Sequence, residues 1–145
     1  MSGRGDALAQ LPDRLSDQYI LTPHEGEFAR AFPDISGARE ARTVKAAEQM
    51  GCVVVLKGAQ SIIASPNGEI VVNKNASPYL ASAGTGDVLA GMITGLCAAG
   101  MAPFDAACVA VWMHGEAGKR IGAGLVASDI EGALPDILHG LVSPI

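Results

Sequence analysis

Cys52-Val53-Val54-Val55-Leu56 is an unbroken apolar run, followed at once by Lys57-Gly58. A strand with one wet face alternates apolar and polar residues. A strand buried on both faces reads as continuous Val, Ile and Leu. The run therefore predicts a central strand of a parallel sheet, covered by helices. Working outward, Ser36 to Met50 has helical character, with Ser36 as candidate N-cap and Gly51 as the stop. Downstream, Ser61 to Ala64 and Glu69 to Asn73 read as strands flanking Pro66-Asn67-Gly68, and Asn-Gly is a hairpin signal. Upstream, Gln18 to Leu21 reads as a short strand broken by Thr22-Pro23, and Glu25 to Ala31 as one or two helical turns. Ala7 to Leu15 suits a short helix, and Met1 to Asp6 a disordered start.

Beyond Gly86 the pattern becomes helical. Asp87 to Ala99 is apolar nearly all round, and Gly91 and Gly95, four apart, would let another backbone pack closely. Pro103 to Ile121 is a second helix with Pro103 in its first turn. Ser128 to Leu138 is a third, with Ser128 and Glu131 spaced as a capping box. Helices apolar on most faces imply a thick layer or contact with a second copy, so a homo-oligomer is expected. The order implies an α/β fold. Only one or two crossover units are visible where a parallel sheet needs several, so residues 1–145 read as a single partial domain of a larger α/β unit.

The chain has 145 residues, 49% of them hydrophobic, which favours a globular fold. The 18 glycines show no fixed period and point to tight turns. A net charge of -5 disfavours nucleic-acid binding, which needs a basic face. The three cysteines, Cys52, Cys97 and Cys108, sit in apolar runs without metal-site or disulfide spacing. Buried free thiols and a reducing cytoplasm are the expectation. No apolar stretch approaches the ~20 residues of a membrane span, and no signal-peptide core opens the chain.

Three segments carry candidate chemistry. In Ala83-Gly84-Thr85-Gly86-Asp87-Val88-Leu89-Ala90-Gly91, two glycines precede a helix and an acid lies in its first turn. Free amides and the dipole at a helix start favour an anion, so Gly84, Thr85 and Gly86 form a candidate anion hole. Asp87 beside it suits a base for a reacting hydroxyl. The plainer alternative is an acid that stabilises the helix. The pattern is neither G-x-x-x-x-G-K-[ST] nor G-x-G-x-x-G. Thr22-Pro23-His24-Glu25-Gly26-Glu27 follows a strand, where open α/β sheets bind ligands. His24 there suits donation to an amide or phosphate; alternatively Thr22 caps a helix. Lys57-Gly58-Ala59-Gln60-Ser61 also lies at a strand end, with Lys57 able to reach a phosphate, or simply solvated before a turn. His114 reads as packing inside an apolar helix, and His139 as a favourable cation near a helix C-terminus. No residues are spaced as a metal site.

Taken together, Leu21-Thr22-Pro23-His24-Glu25-Gly26-Glu27-Phe28, Val55-Leu56-Lys57-Gly58-Ala59, the Ala83 to Gly91 run and Val111-Trp112-Met113-His114-Gly115 resemble signatures of the NAD(P)H-hydrate dehydratases. The similarity runs from about Leu8 to Leu138. Gly-Thr-Gly-Asp alone also occurs across ribokinase-like kinases; the Thr22 to Glu27 segment narrows the resemblance to the dehydratases. The resemblance implies a ribokinase-like, three-layer α/β/α fold, present in part as a central strand, a β-hairpin and a helical C-terminal half. It implies a cytoplasmic hydro-lyase of nicotinamide cofactor repair that uses ADP or ATP with Mg2+. The hydroxyl of (S)-NAD(P)H hydrate is phosphorylated and phosphate then leaves, restoring NAD(P)H.

By that likeness Asp87 lies against the hydrate as the base, and His24 holds the hydrated dinucleotide. Gly86 meets the nucleotide phosphate. Lys57, Gly58, Ala59, Gln60 and Ser61 line the adenine nucleotide. Ser61 stands where the family usually has Thr, and Asn75 to Leu80 replaces a more Gly-rich stretch. The family domain is about twice this length, so the chain corresponds to its C-terminal half, and an NAD(P)H-hydrate epimerase domain is a possible neighbour in the parent protein. Two other readings stand beside this one. The first is a ribokinase-like kinase of a sugar or hydroxymethyl group. The second is a non-catalytic fragment that keeps binding or oligomerisation surfaces.

Overall fold

A computed structural model describes residues 11–142. The chain divides into two compact units, Met1–Val72 and Asn73–Ile145. In the first, the elements are β1 (Ile20–Leu21), α1 (Glu25–Ala31), α2 (Arg39–Met50), β2 (Val53–Leu56), β3 (Ser61–Ala64) and β4 (Ile70–Asn73), which ends at the unit boundary. The strands form one sheet in the order β1-β2-β3-β4. β1 runs parallel to β2, with Ile20 opposite Val53 and Leu21 opposite Val54. β2 and β3 are antiparallel, with Val55 opposite Ile63.

The Cys52 to Leu56 run is buried on both faces, as its lack of alternation predicts. Val54, Leu56, Ile62 and Ala64 share a core with Phe28, Ala46, Ala47 and Met50 from the helices. Alanines at 46 and 47 let α2 lie close on the sheet. Phe28 is fully buried; its ring sits 4.9 Å from that of Phe32 and under the Arg42 guanidinium, 5.3 Å from the ring centre. Gly51 ends α2 in the left-handed region at φ 70°, its N–H donating to the Ala47 carbonyl at 2.9 Å. At the hairpin, Gly68 takes φ 88°, and the Ser65 N–H donates to the Glu69 carbonyl at 2.9 Å.

The second unit holds a 3-10 turn (Pro78–Ala81), α3 (Thr85–Ala98), α4 (Pro103–Ile121) and α5 (Ala127–Val142). Its core gathers Met113, Ala117, Leu125, Ile130 and Ile137. Buried Ala106, Ala107, Ala110, Gly115 and Gly118 make α4 slim on its inner side. A buried amide network ties the segment before α3 to α4. Asn73 Nδ2 donates to Asn75 Oδ1 at 2.6 Å, and Asn75 Nδ2 donates to the Trp112 carbonyl at 2.9 Å and Glu116 Oε1 at 3.0 Å.

Several expectations need correction. The helix expected over Ala7 to Leu15 is absent from residues 11–15, where Pro12 interrupts; residues 7–10, and the start expected to be disordered, lie outside the described residues. Ser36 does not cap α2, because Gly37 adopts φ 114°, outside any right-handed helix, and Ala38 takes the cap position. α5 begins at Ala127, which puts Ser128 inside its first turn; the Asp129 carboxylate accepts from the Val126 N–H at 2.9 Å instead. α3 buries only Thr85, Leu89 and Ile93, one residue per turn, and a Cβ on Gly91 or Gly95 would meet nothing within 4 Å among the described residues. Cys52 is buried, but Cys97 and Cys108 are only half-buried, and none of the three forms a disulfide.

Two expected outcomes follow from this packing. Phe28→Ala should lower unfolding stability by about 3–5 kcal/mol, the range for removing a fully buried aromatic ring; a loss below ~1 kcal/mol in urea titration would show that this core does not hold the unit. Burial pushes the Cys52 thiol up to about 11, so the folded protein at pH 8 should leave it unalkylated by iodoacetamide. Mass spectrometry after brief labelling, with and without denaturant, checks this.

Candidate functional site

The parallel pairing of β1 and β2 continues past both strands. The Lys57 N–H donates to the Pro23 carbonyl at 2.9 Å, and His24 and Lys57 form an isolated parallel bridge. The Thr22 to Glu27 and Lys57 to Ser61 segments, far apart in sequence, thus lie side by side at the carboxyl ends of parallel strands. Ligands of open α/β sheets bind at that edge.

His24, rather than Thr22, caps α1. Its Nδ1 accepts from the Glu27 N–H at 3.1 Å, while Glu27 Oε2 accepts from the His24 N–H at 2.9 Å, closing a capping box. In the neutral ring this leaves the proton on Nε2, which lies 3.6 Å from Glu27 Oε1. The side chain is 55% exposed, so this N–H is a donor held in a fixed direction and open to a ligand.

Gly58, Ala59 and Gln60 are exposed, Lys57 half-buried and Ser61 buried. Ser61 Oγ accepts from the Gly58 N–H at 3.4 Å, closing the turn. The loop is held by a residue that sequence reasoning missed. Arg39 Nη1 donates to the Gln60 carbonyl at 2.7 Å, and its Nε to Glu25 Oε1 at 2.6 Å. Glu25 also takes both Nη groups of Arg42, at 3.1 and 3.2 Å. Arg39 and Arg42 lie one turn apart on α2; Arg42 Nε also donates to the nearby Gly37 carbonyl at 3.0 Å, but Glu25 and Gln60 are 14 to 21 residues away, beyond any local pattern.

In the second unit, Gly84 stands at the N-cap of α3 with φ 84°, a left-handed conformation that favours glycine. Thr85 is 5% exposed. Its hydroxyl is shared between the Leu80 carbonyl at 2.5 Å and the Ser82 carbonyl at 3.0 Å, and its N–H leans toward Ser82 at 3.4 Å. Thr85 therefore anchors the turn rather than facing a ligand with its side chain. The amides of Gly86 and Asp87 lie in the first turn, where no intrahelical carbonyl accepts them. Asp87 is exposed in that turn. A helix start of this kind can hold an anion beside a carboxylate. His114, read from sequence as packing, is buried with Nε2 2.9 Å from the Thr85 carbonyl. Among the described residues no group of three or more His, Cys, Asp or Glu is arranged to hold a metal, and no helix is long and apolar enough to cross a membrane.

The Arg42 hydrogen bond, with Arg39 beside it, holds the Glu25 carboxyl below its ordinary value of 4.5. A lowered folded value stabilises the fold above the unfolded one, and that contribution disappears as pH falls through the lower folded value. The group is largely solvated, so the effect is small. The stability gap between the unchanged protein and Glu25→Gln, measured by urea titration from pH 7 to pH 3, should be widest above about 4.5 and close in acid. A gap independent of pH would remove the ion cluster from the account.

A model of the NAD(P)H-hydrate dehydratase family matches residues 5–135. The chain is 42% identical over 144 residues to a bifunctional NAD(P)H-hydrate repair enzyme of Salinibacter ruber, covering 91% of this chain and 26% of that protein. It is 42% identical over 121 residues to an ADP-dependent (S)-NAD(P)H-hydrate dehydratase of Neisseria meningitidis serogroup B, covering 77% of this chain and 41% of that protein. The chain thus spans less than half the length of these curated relatives. A crystal structure of the ADP/ATP-dependent NAD(P)H-hydrate dehydratase from Bacillus subtilis, co-crystallised with ATP/Mg2+ and soaked with CoA, superposes with a TM-score of 0.78 at 35% identity. It covers 83% of this chain and 48% of that one. The fold is the expected ribokinase-like α/β fold, present in part. A match over residues 5–135 settles the family: the chain belongs to the NAD(P)H-hydrate dehydratases.

Proposed function

We propose that this chain supplies part of the site of a nucleotide-dependent dehydratase that returns (S)-NAD(P)H hydrate to NAD(P)H. The observation that supports this reading is the start of α3, where the Gly86 N–H lies in a first turn without an intrahelical acceptor and Asp87 stands in the same turn. Phosphoryl transfer asks mainly for positioning and charge stabilisation, and a helix start with a carboxylate provides both. Asp87 takes the proton of the hydrate hydroxyl as it attacks the terminal phosphorus of the nucleotide; the bridging P–O bond breaks and the shortened nucleotide leaves, after which phosphate and a proton of the adjacent ring carbon depart to restore the double bond of NAD(P)H. The Gly86 N–H holds a phosphate oxygen of the nucleotide. Lys57 and the exposed loop Gly58, Ala59 and Gln60, closed by Ser61, line the adenine nucleotide, and the His24 Nε2–H donates to the hydrated dinucleotide. The family and the relatives' use of ADP support a nucleoside di- or triphosphate as co-substrate. Magnesium bound with a nucleotide keeps several waters and rests mostly on phosphate, so the residues present fit it without a protein cage, and Asp87 would meet it through water. Its chemistry would be neutralisation of phosphate charge.

We further propose that both units belong to one partial domain over residues 1–145, acting in the cytoplasm, where free thiols persist. An epimerase domain joined to it in the parent protein would fit the bifunctional relative.

The test is recovery of NADH absorbance from (S)-NADH hydrate with ADP or ATP and magnesium, using the intact protein that contains this chain. Return of NADH that requires nucleotide is expected. No return with either nucleotide removes the dehydratase reading, and phosphorylation of a sugar or hydroxymethyl compound instead would favour a kinase. Asp87→Asn should cut turnover by about 10²–10⁴-fold, the usual share of a general base, with nucleotide affinity little changed. Unaltered turnover would take Asp87 out of the mechanism.

A further inference from the structure

His114 lies on α4 and is buried, with 8% of the residue exposed. One of its partners is backbone: Nε2 is 2.9 Å from the Thr85 carbonyl oxygen. A carbonyl only accepts, so the shared proton belongs to Nε2. The Thr85 carbonyl and the Gly86 N–H are two ends of one planar, trans peptide unit. They point in opposite directions, and holding one sets the other. The Thr85 side chain is tied as well, through its hydroxyl to Leu80 and Ser82. The peptide between Thr85 and Gly86 is thus fixed from two sides, at a helix end that would otherwise fray.

We propose that His114 is a positioning residue for the anion-binding start of α3, holding the Thr85 carbonyl so that the Gly86 N–H keeps the direction a phosphate oxygen requires. This rests on the nucleotide-dependent reading above and adds a residue to it. The role differs from packing, because an apolar ring of similar size would fill the same space without holding the peptide.

Three measurements on the intact protein that contains this chain test it. In the unaltered protein at neutral pH, ¹⁵N NMR of the His114 ring should show Nε2 protonated; an Nδ1–H tautomer overturns the proposal whatever the variants do. In His114→Phe, amide hydrogen exchange from Gly86 to Leu89 should quicken at least about tenfold without ligand, while α5 amides hold their rates. Unchanged exchange also overturns it. ADP with magnesium, titrated against the Gly86 amide resonance, should bind about five- to tenfold more weakly in His114→Phe. His114→Gln, whose amide nitrogen can reach the same carbonyl, should restore most of the loss. Quickened exchange with undiminished affinity would overturn the positioning role. Absence of ADP binding in the unaltered protein would instead defeat the nucleotide reading, leaving the tautomer and exchange to judge the peptide clamp.

Discussion

The hydrogen bond from the Lys57 N–H to the Pro23 carbonyl is the constraint on which the first unit's site depends. β1 contributes only two residues to the sheet, and this bond carries its parallel alignment beyond the strand ends. Everything polar at that edge follows from it. His24 sits where it can cap α1, Glu25 emerges toward α2, and the loop after β2 comes within reach of Arg39. A slip in that register would turn the residues of β1 to opposite faces and separate the two segments.

The second unit solves a different problem. A helix start that holds an anion, the role proposed for α3, must leave its first amides unsatisfied, which makes it prone to fray. Here the cost is offset by neighbouring groups that can be held without using those amides. The Thr85 hydroxyl and carbonyl are both bound, and the Asn73–Asn75 pair secures the incoming chain to α4. Gly84 to Asp87 is therefore held by groups beside the proposed binding face. Preorganised donors are what electrostatic catalysis needs.

The central strand and hairpin were legible because burial and turn chemistry leave local marks. Continuous valines announce a strand wet on neither face, and Asn67-Gly68 announces its turn. Pro103 to Ile121 was equally plain, being long and bounded by a proline and a glycine. The failures were at caps. Ser36 has the right chemistry for a helix start, yet Gly37 next to it takes a conformation that no helix allows. Thr22 looked like a cap, but Pro23 pairs with Lys57 and moves the start to His24. The segments of the candidate site were visible by their residue types. Their supports, Arg39, Arg42 and the His114 contact with Thr85, were not, because each joins residues more than a dozen positions apart.

Gly58 illustrates how a support can leave a trace of another kind. A glycine at a strand end often makes room for a ligand. In the structure, a Cβ there would come within 2.6 Å of Arg39 Nη2, so the space belongs to the guanidinium. A side chain at 58 would push the guanidinium tip aside and loosen its hold on the Gln60 carbonyl, so the loop after β2 would lose a tether while the core beneath it stayed packed.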